Sequence, residues 1–380
     1  MKFPARRLGA AALGLVMMTA LAACSSGTPG SSPGATSNSA ASGAQAAAQA
    51  DVAAFTADQP PVTVSALPSK PNAALTIAIS TCALPVCHTT TDAAVEAAKA
   101  LGWTVRQYES EMTPEAYVAV WDQIMQDPPD LIAYTPVVPD AAIANQLKAA
   151  AALKIPVVSI APAGDRPDKN GPVYAAYASQ PTFVQSGTLM GETVVADGGT
   201  GADTVFVWDS ALSTIWDPLI QGFKNAISET GSQPDVLDAP TSGIGTDVPG
   251  QVVSYLQSHP NVKYVAFALG DYTAGVPEAL AAAGLSDQVK IVSLSPQAAN
   301  LANIKSGKEF ASVAQENTAA GWRAIDGLAR LSLGETPDDE WFEPAGWHQI
   351  FTKDNVTETT TVPTTPGTPD SFLSAWGVTK

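Results

Sequence analysis

The length and composition of the chain limit what it can be. A chain of 380 residues is longer than one small domain requires. Hydrophobic residues make up 46% of it, which is enough to form sizeable cores. Lys and Arg number 19 against 36 Asp and Glu, a net charge of −17. Phosphate backbones repel so acidic a chain, so we expect no nucleic-acid partner. Three cysteines and three histidines leave little room for a zinc cluster, and we predict neither a metal nor a cofactor.

Residues 1–23 have the pattern of an export signal. The segment begins with a positively charged region that contains Lys2, Arg6 and Arg7. The apolar run that follows is shorter than a transmembrane helix normally requires. The run ends in Leu-Ala-Ala-Cys, which resembles the bacterial lipobox, whose cysteine becomes the lipidated first residue of the mature protein. We therefore predict a signal peptide over 1–23 and a lipid anchor on Cys24 at the outer face of the cell membrane. An ordinary secretory signal with an accidental cysteine is the alternative.

Residues 24–72 are rich in Ser, Gly, Pro, Ala and Thr, and Phe55 is their only aromatic residue. A segment of this composition buries too little apolar surface to offset the entropy lost on ordering. We predict a flexible linker that lifts a folded body off the membrane.

From Leu75 onward, short apolar runs alternate with helical patterns. In the first half the predicted strands are 75–80, 104–110, 130–136, 155–162 and 173–179, with helices at 89–103, 114–125 and 139–154. In the second half, helices at 180–196, 216–228, 248–259, 274–283 and 318–331 alternate with strands at 204–209, 263–269, 289–295 and 310–315.

This alternation favours parallel sheets covered by helices on both faces, because the strands are continuous runs of Val, Ile and Ala. About ten such units are too many for one small sheet. We predict an α/β fold of two doubly wound domains, with a single barrel of about eight units as the alternative.

In open parallel sheets, ligands bind beyond the carboxyl ends of the strands, so the residues there are the candidates for binding. Aromatic rings at these positions can stack on a ligand or simply close the core. Carboxylates can accept hydrogen bonds from a ligand or cap a helix, and a histidine can donate a hydrogen bond or lie in solvent. The candidates are His88, Tyr134, Pro136, Trp208, Asp209, Trp216, Asp271 and Tyr272.

Cys82 and Cys87 lie in the first of these loops. With Cys24 committed to lipid in an oxidising compartment, we expect a disulfide between them, two free thiols being the alternative. The sequence contains no HExxH, no G-x-S-x-G and no Walker loop, and the glycine-rich segment 242–250 lacks a Lys-Ser/Thr ending. We therefore predict that the protein is not an enzyme.

The body from about Leu75 to Asn355 resembles the type I periplasmic binding proteins, the ribose- and galactose-binding-like receptors of ABC importers. Four segments carry the resemblance in the family's order: PPDLIAYTPVVPDAAIANQLKAAAALKIPVVSI (128–160), IWDPLIQGFKNAI (215–227), VVSYLQSHPNVKYVAFALGDYTAGVPEALAAAG (252–284) and IKSGKEFASVAQENTAAGWRAIDGLARLSLGE (304–335).

The resemblance implies two doubly wound parallel-sheet lobes, a three-stranded hinge and a ligand in the cleft. Asp271 matches the family's ligand-binding aspartate, and Gln315 matches its hinge glutamine. The implied division is an N-terminal lobe of 73–181 plus 316–336, a C-terminal lobe of 182–315 plus 337–355, and a C-terminal tail of 356–380.

Two charged positions of the family's sugar binders are missing. Ala161 and Pro162 stand in place of an Asp-Arg pair, and Asp217 to Leu219 occupy the stretch that carries a further arginine. The implied ligand is a sugar or polyol derivative, or a less polar aromatic or alicyclic compound. The resemblance implies a monomeric lipoprotein that closes over this ligand and feeds ABC permease subunits in the membrane. A receptor that presents the closed form to a membrane signalling partner is the alternative.

Overall fold

The computed structural model describes residues 34–136, 138–160, 171–177, 180–199, 202–335 and 346–378. Eleven strands in these residues form two open sheets. The strands of the first sheet are β1 (Thr76–Cys82), β2 (Thr104–Ser110), β3 (Leu131–Tyr134), β4 (Val157–Ser159) and β5 (Ala175–Ala176). The strands of the second sheet are β6 (Thr204–Trp208), β7 (Asp235–Asp238), β8 (Tyr264–Phe267), β9 (Lys290–Leu294), β10 (Ala311–Gln315) and β11 (His348–Thr352).

The first sheet is parallel throughout, in the order β2-β1-β3-β4-β5. The second has the order β11-β10-β9-β8-β6-β7, and all its pairs are parallel except β10 with β11. The predicted α/β fold is confirmed, and two open sheets exclude the single barrel for the described residues. The antiparallel edge strand β11 is absent from the sequence-based prediction.

Helices cover the sheets, which explains why β3, β4, β8 and β10 are buried at every position. The helices are α1 (Gly34–Thr56), α2 (Pro85–Ala100), α3 (Pro114–Gln126), α4 (Ala144–Ala152), α5 (Gln180–Gly198), α6 (Ser213–Ser228), α7 (Asp247–Ser258), α8 (Val276–Ala282), α9 (Ala298–Ser306), α10 (Asn317–Ser332) and α11 (Asp370–Ala375). Short 3₁₀ helices lie at Asp140–Ile143, Ser210–Leu212, Thr241–Gly243 and Gly270–Thr273.

We call the first sheet with α2, α3, α4 and α10 the N-terminal lobe, and the second sheet with α5 to α9 the C-terminal lobe. The chain crosses between the lobes where β5 leads to α5, where β10 leads to α10, and where α10 leads to β11. In each sheet the strand order reverses beside its first strand, since β2 and β3 flank β1 and β7 and β8 flank β6. Ligands bind at such reversals in doubly wound sheets.

Helices α5 and α6 touch at the backbone because glycines meet there. A Cβ atom on Gly187 of α5 would lie 1.9 Å from the carbonyl oxygen of Leu219, and one on Gly222 of α6 would lie 2.0 Å from that of Val184. No side chain larger than hydrogen fits at either position without moving a helix.

The structure differs from the predicted flexible linker over residues 34–72. Helix α1 packs against α5 and β11 of the C-terminal lobe, with Ala48 buried and Gln49 Nε2 donating to the carbonyl oxygen of Ala196 at 3.1 Å. Further on, the backbone N–H of Val62 donates to Pro366 at 2.8 Å. The correction has a physical reason, because alanine has the highest helix propensity and its small side chain allows close packing. The signal peptide, Cys24 and residues 25–33 lie outside the described residues.

The predicted C-terminal tail packs on the N-terminal lobe. The ring of Trp322 in α10 lies 5.4 Å from that of Trp376 and 5.7 Å from that of Phe372. Trp376 Nε1 also donates to Asp326 Oδ1 at 2.7 Å. Among the helices of the described ranges, none is both long and apolar enough to cross a membrane.

We expect Gly222→Ala to lower the free energy of unfolding by about 1–3 kcal/mol, because the added methyl group would push α5 and α6 apart. The matched control is Gly250→Ala in α7, where a Cβ meets nothing within 4 Å. There the gain in helix propensity should raise stability by about 0.5–1 kcal/mol. Urea unfolding of both variants measures the difference, and equal midpoints would contradict the packing argument.

Candidate ligand-binding site

A cavity lies between the two lobes, beyond the carboxyl ends of the strands. Its volume is about 680 Å³ including the space open to solvent. Side chains from the end of β1, from the loops after β3 and β4 and from the starts of α2 and α10 form one wall. The start of α5, the loops after β6 and β8 and the start of α6 form the other.

The described residues that line the cavity are mostly apolar, and none of them carries a charged side chain. Thr90, Thr135, Gln315 and Asn317 are the polar ones, and Trp216 adds an indole N–H. The remaining lining residues are Cys82, Leu84, Val86, Cys87, Met112, Pro136, Ile160, Phe183, Leu212, Ile215, Leu269 and Ala320.

A disulfide bond joins Cys82 at the end of β1 to Cys87 in the first turn of α2, with the Cα atoms 5.6 Å apart. The structure thus contains the bond that the sequence led us to expect. The short loop between the two cysteines carries Leu84 and Val86, which also line the cavity. Because the bond closes this loop onto the strand end, it holds both apolar side chains in the cavity wall.

Gln315 joins the cavity to the hinge. It ends β10 directly before the chain crosses to α10, and its Oε1 lies 3.2 Å from Ser186 Oγ. The same hydroxyl lies 2.9 Å from Nε2 of His348 on β11. The Ser186 hydroxyl hydrogen has two acceptors within reach, the carbonyl oxygen of Thr182 at 2.8 Å and Gln315 Oε1 at 3.2 Å. Burial lowers the pKa of His348, which keeps its ring neutral at pH 7.

Trp216 and Phe183 form an aromatic corner of the cavity. Their ring centroids are 6.1 Å apart, and both side chains are buried. Trp216 Nε1 is buried without a hydrogen-bond partner among the described atoms, and so is Thr135 Oγ1 on the opposite wall. Buried polar atoms normally have a partner, so these two donors are exceptions at the cavity.

Three of the predicted ligand-binding residues line the cavity: Pro136, Trp216 and Gln315. The two cysteines of the first loop line it as well. His88 lies elsewhere, since its Nε2 is 3.1 Å from Glu109 Oε2 and its side chain is 42% exposed. Trp208, which is half-buried, is also absent from the cavity wall.

Tyr134 is a core residue. Its side chain is fully buried, its ring packs edge-on against Trp121, and its hydroxyl donates to Asp140 at 2.9 Å. Burial raises the pKa of Asp140 to about 6, and the hydrogen bond from Tyr134 opposes this rise. The pair fixes the loop after β3 but does not line the cavity.

Asp209 and Tyr272 also hold loops. The Oδ2 atom of Asp209 accepts from the backbone N–H of Thr241 at 2.8 Å, which joins the loops after β6 and β7. The Tyr272 hydroxyl donates to the carbonyl oxygen of Ala239 at 3.1 Å. Neither side chain lines the cavity.

Asp271 lies in the 3₁₀ turn after β8, outside the cavity wall. Its side chain is buried, and its Oδ2 has no partner among the described atoms. Burial raises the pKa of Asp271 to about 6, and a hydrogen bond from its own backbone opposes the rise.

Sequence reasoning missed most of the apolar wall. Leu212 ends the 3₁₀ helix after β6 and Ile215 lies in the first turn of α6, a place that the strand-end rule already singles out. Phe183 lies in the first turn of α5, directly after the chain crosses between the lobes. This position is the one feature of the sequence that could have marked it as a cavity residue. In a sequence, leucine, isoleucine and phenylalanine are indistinguishable from core residues. Ala161 and Pro162 lie outside the described residues.

The described residues contain no group of three or more His, Cys, Asp or Glu side chains that could hold a metal ion. The cavity wall in the same ranges offers uncharged side chains only. What this arrangement can do chemically is enclose a molecule through apolar contact and a few hydrogen bonds.

The model of the periplasmic binding protein domain matches residues 79–336. This range covers most of the chain, so the protein belongs to the periplasmic binding protein family. The family consists of extracytoplasmic binding proteins and not of enzymes, as the sequence predicts. A comparison with curated protein sequences found no significant match.

Solved structures of solute-binding proteins share the fold. An ABC transporter solute-binding protein from Agrobacterium vitis, bound with α-D-tagatopyranose, has 21% identity and a TM-score of 0.66 over 76% of this chain and 100% of its own. One from Mycobacterium smegmatis with bound glycerol has 22% identity and a TM-score of 0.64 over 76% and 99%. A glucose-galactose binding protein from Geobacillus stearothermophilus has 16% identity and a TM-score of 0.64 over 75% and 99%.

We expect Asp271→Asn to stabilise the ligand-free protein at pH 7. The carboxyl group has a pKa of about 6 in the folded chain, above its value in the unfolded chain, so ionisation destabilises the fold as the pH rises from about 4 to above 6. The amide does not ionise, and the variant should gain up to about 3 kcal/mol over this range.

Thermal unfolding between pH 4 and pH 8 measures this effect. Asp287→Asn, at an exposed position of the same lobe, is the control and should follow the unmodified protein throughout. A gain for Asp271→Asn that is as large at pH 4 as at pH 8 would show that the carboxylate charge is not its cause.

Proposed function

We propose that the protein is the solute-binding component of an ABC importer and traps a small organic ligand between its lobes by hinge closure. The observation that carries this proposal is a cavity whose walls come from both lobes. A ligand in such a cavity contacts both lobes only when they are closed, so its binding free energy favours the closed state.

The surroundings of the cavity support this proposal. The lobes are joined through crossings of the chain, one of which starts at Gln315 in the cavity wall. Across the cleft, Thr89 Oγ1 on α2 lies 3.5 Å from Gln297 Oε1, directly before α9. The related solved structures named above as ABC transporter proteins contain small polyhydroxy molecules. No feature of the described residues favours the signalling receptor over the importer component.

We further propose that Cys24 carries the lipid that holds the protein at the outer face of the membrane. The lipobox-like Leu-Ala-Ala-Cys sequence after a positively charged apolar segment supports this anchor. In this arrangement the partners are permease subunits in the same membrane, and the binding protein acts as a monomer.

Hinge closure is tested with spin labels on the two lobes. Lys148→Cys in α4 and Gln251→Cys in α7 place labels at exposed positions of the N-terminal and C-terminal lobes. The distance between the two labels is measured by double electron–electron resonance. We expect it to shorten with each added compound that binds the protein and raises its thermal unfolding midpoint. A bound probe that leaves the distance unchanged, or that is recovered chemically altered, contradicts the proposal.

The anchor is tested with Cys24→Ser. Detergent-phase partitioning of cell extracts should recover the unmodified protein in the detergent phase and the variant in the aqueous phase, since the variant lacks the acyl chains. Cys82→Ser together with Cys87→Ser is the control for loss of cysteine and should stay in the detergent phase. Equal partitioning of Cys24→Ser and the unmodified protein would exclude the anchor.

A further inference from the structure

The cavity walls have the chemistry of a protein core. The N-terminal lobe contributes Leu84, Val86 and Met112 beside the disulfide, and the C-terminal lobe contributes Phe183, Leu212, Ile215, Trp216 and Leu269. Both faces that a ligand would meet are therefore apolar. Contact with such faces stabilises a ligand in proportion to the apolar area that leaves water.

The described wall offers few polar side chains to a sugar. The hydroxyl of Thr90 lies 3.4 Å from the carbonyl oxygen of Val86, and Gln315 Oε1 accepts from Ser186. A monosaccharide carries hydroxyls around its whole edge, and each one that enters an apolar site without a partner loses its hydrogen bonds to water. The described wall offers such a ring of hydroxyls five polar side chains among mostly apolar ones.

The charge of the wall argues against an ion. No described lining residue has a charged side chain, so a carboxylate or ammonium group would find no counter-charge among the described residues of the wall. The net charge of −17 further disfavours an anion.

Two buried donors indicate what polar feature the ligand carries. Trp216 Nε1 and Thr135 Oγ1 belong to lining residues on opposite walls, and neither has a partner among the described atoms. An acceptor oxygen on the ligand would give one of them its missing hydrogen bond.

We propose that the cleft binds an uncharged, largely apolar ring compound with one or two acceptor oxygens, and that it discriminates against sugars. This inference rests on the proposed function, since it assigns a ligand class to the same cleft. It departs from the polyhydroxy ligands of the related solved structures.

The experiment compares two classes of probe on the full-length protein. Equilibrium dialysis in detergent, with a detergent-only blank to correct for partitioning, gives the dissociation constants of the alicyclic ketones camphor and 2-decalone. D-tagatose, D-galactose and glycerol are measured alongside, and cyclohexanecarboxylate tests the effect of charge. We expect at least one ketone to bind about tenfold or more tightly than every sugar, polyol and carboxylate.

Two matched methionine variants connect the binding to the cavity wall. Met112 and Met125 are both half-buried and pack on the same apolar cluster, but only Met112 lines the cavity. Met112→Gln keeps the length of the side chain and places an amide against the ligand, so it should weaken ketone binding about tenfold. Met125→Gln should leave it unchanged. Equal effects of the two variants would overturn the assignment to this cavity.

The outcomes separate the two proposals. If a sugar or the carboxylate binds more tightly than both ketones and shortens the interlobe distance of the spin-labelled protein, the ligand class is wrong and hinge closure stands. If the ketones bind and the distance does not change, hinge closure is wrong. If neither ketone binds more tightly than the sugars, the ligand class is overturned in either case.

Discussion

The backbone contact between α5 and α6 is the constraint on which the rest of the structure depends. Gly187 and Gly222 allow each helix to lie directly against the carbonyl groups of the other. Phe183 lies one helical turn before Gly187, and Trp216 lies at the start of α6, so the contact also fixes the aromatic corner of the cavity. Ser186, next to Gly187, reaches the hinge residues Gln315 and His348. One helix pair thereby sets the core, the cavity wall and the hinge contacts together.

The sequence predicts the sheets better than the site. Doubly buried strands such as β8 and β10 appear as continuous apolar runs, and the strand-end rule selects Pro136 and Trp216, which line the cavity. That rule cannot give the direction of a side chain after the strand has ended. Consequently, Tyr134 and Tyr272, which turn into the core, look the same in the sequence as residues that face the cleft.

Three elements that the sequence did not predict, α1, β11 and α11, were missed for a different reason. Helix α1 is rich in alanine and contains no large apolar face, so its packing on α5 leaves no periodic pattern in the sequence. Strand β11 and helix α11 follow the residues on which the alternation of strands and helices is clear. Their place is decided by contacts with β10 and Trp322, which lie far away in the sequence. Such tertiary contacts override local propensity.

The position of α1 limits how the protein can stand on a membrane. With the lipid that we propose on Cys24, residues 25–33 would separate the anchor from a helix that packs on the C-terminal lobe. Fully extended, residues 25–33 would span at most about 30 Å, whereas a free chain as far as residue 72 would span about 160 Å. The proposed anchor would therefore hold the C-terminal lobe close to the bilayer, and the N-terminal lobe would be the one that moves when the cleft opens.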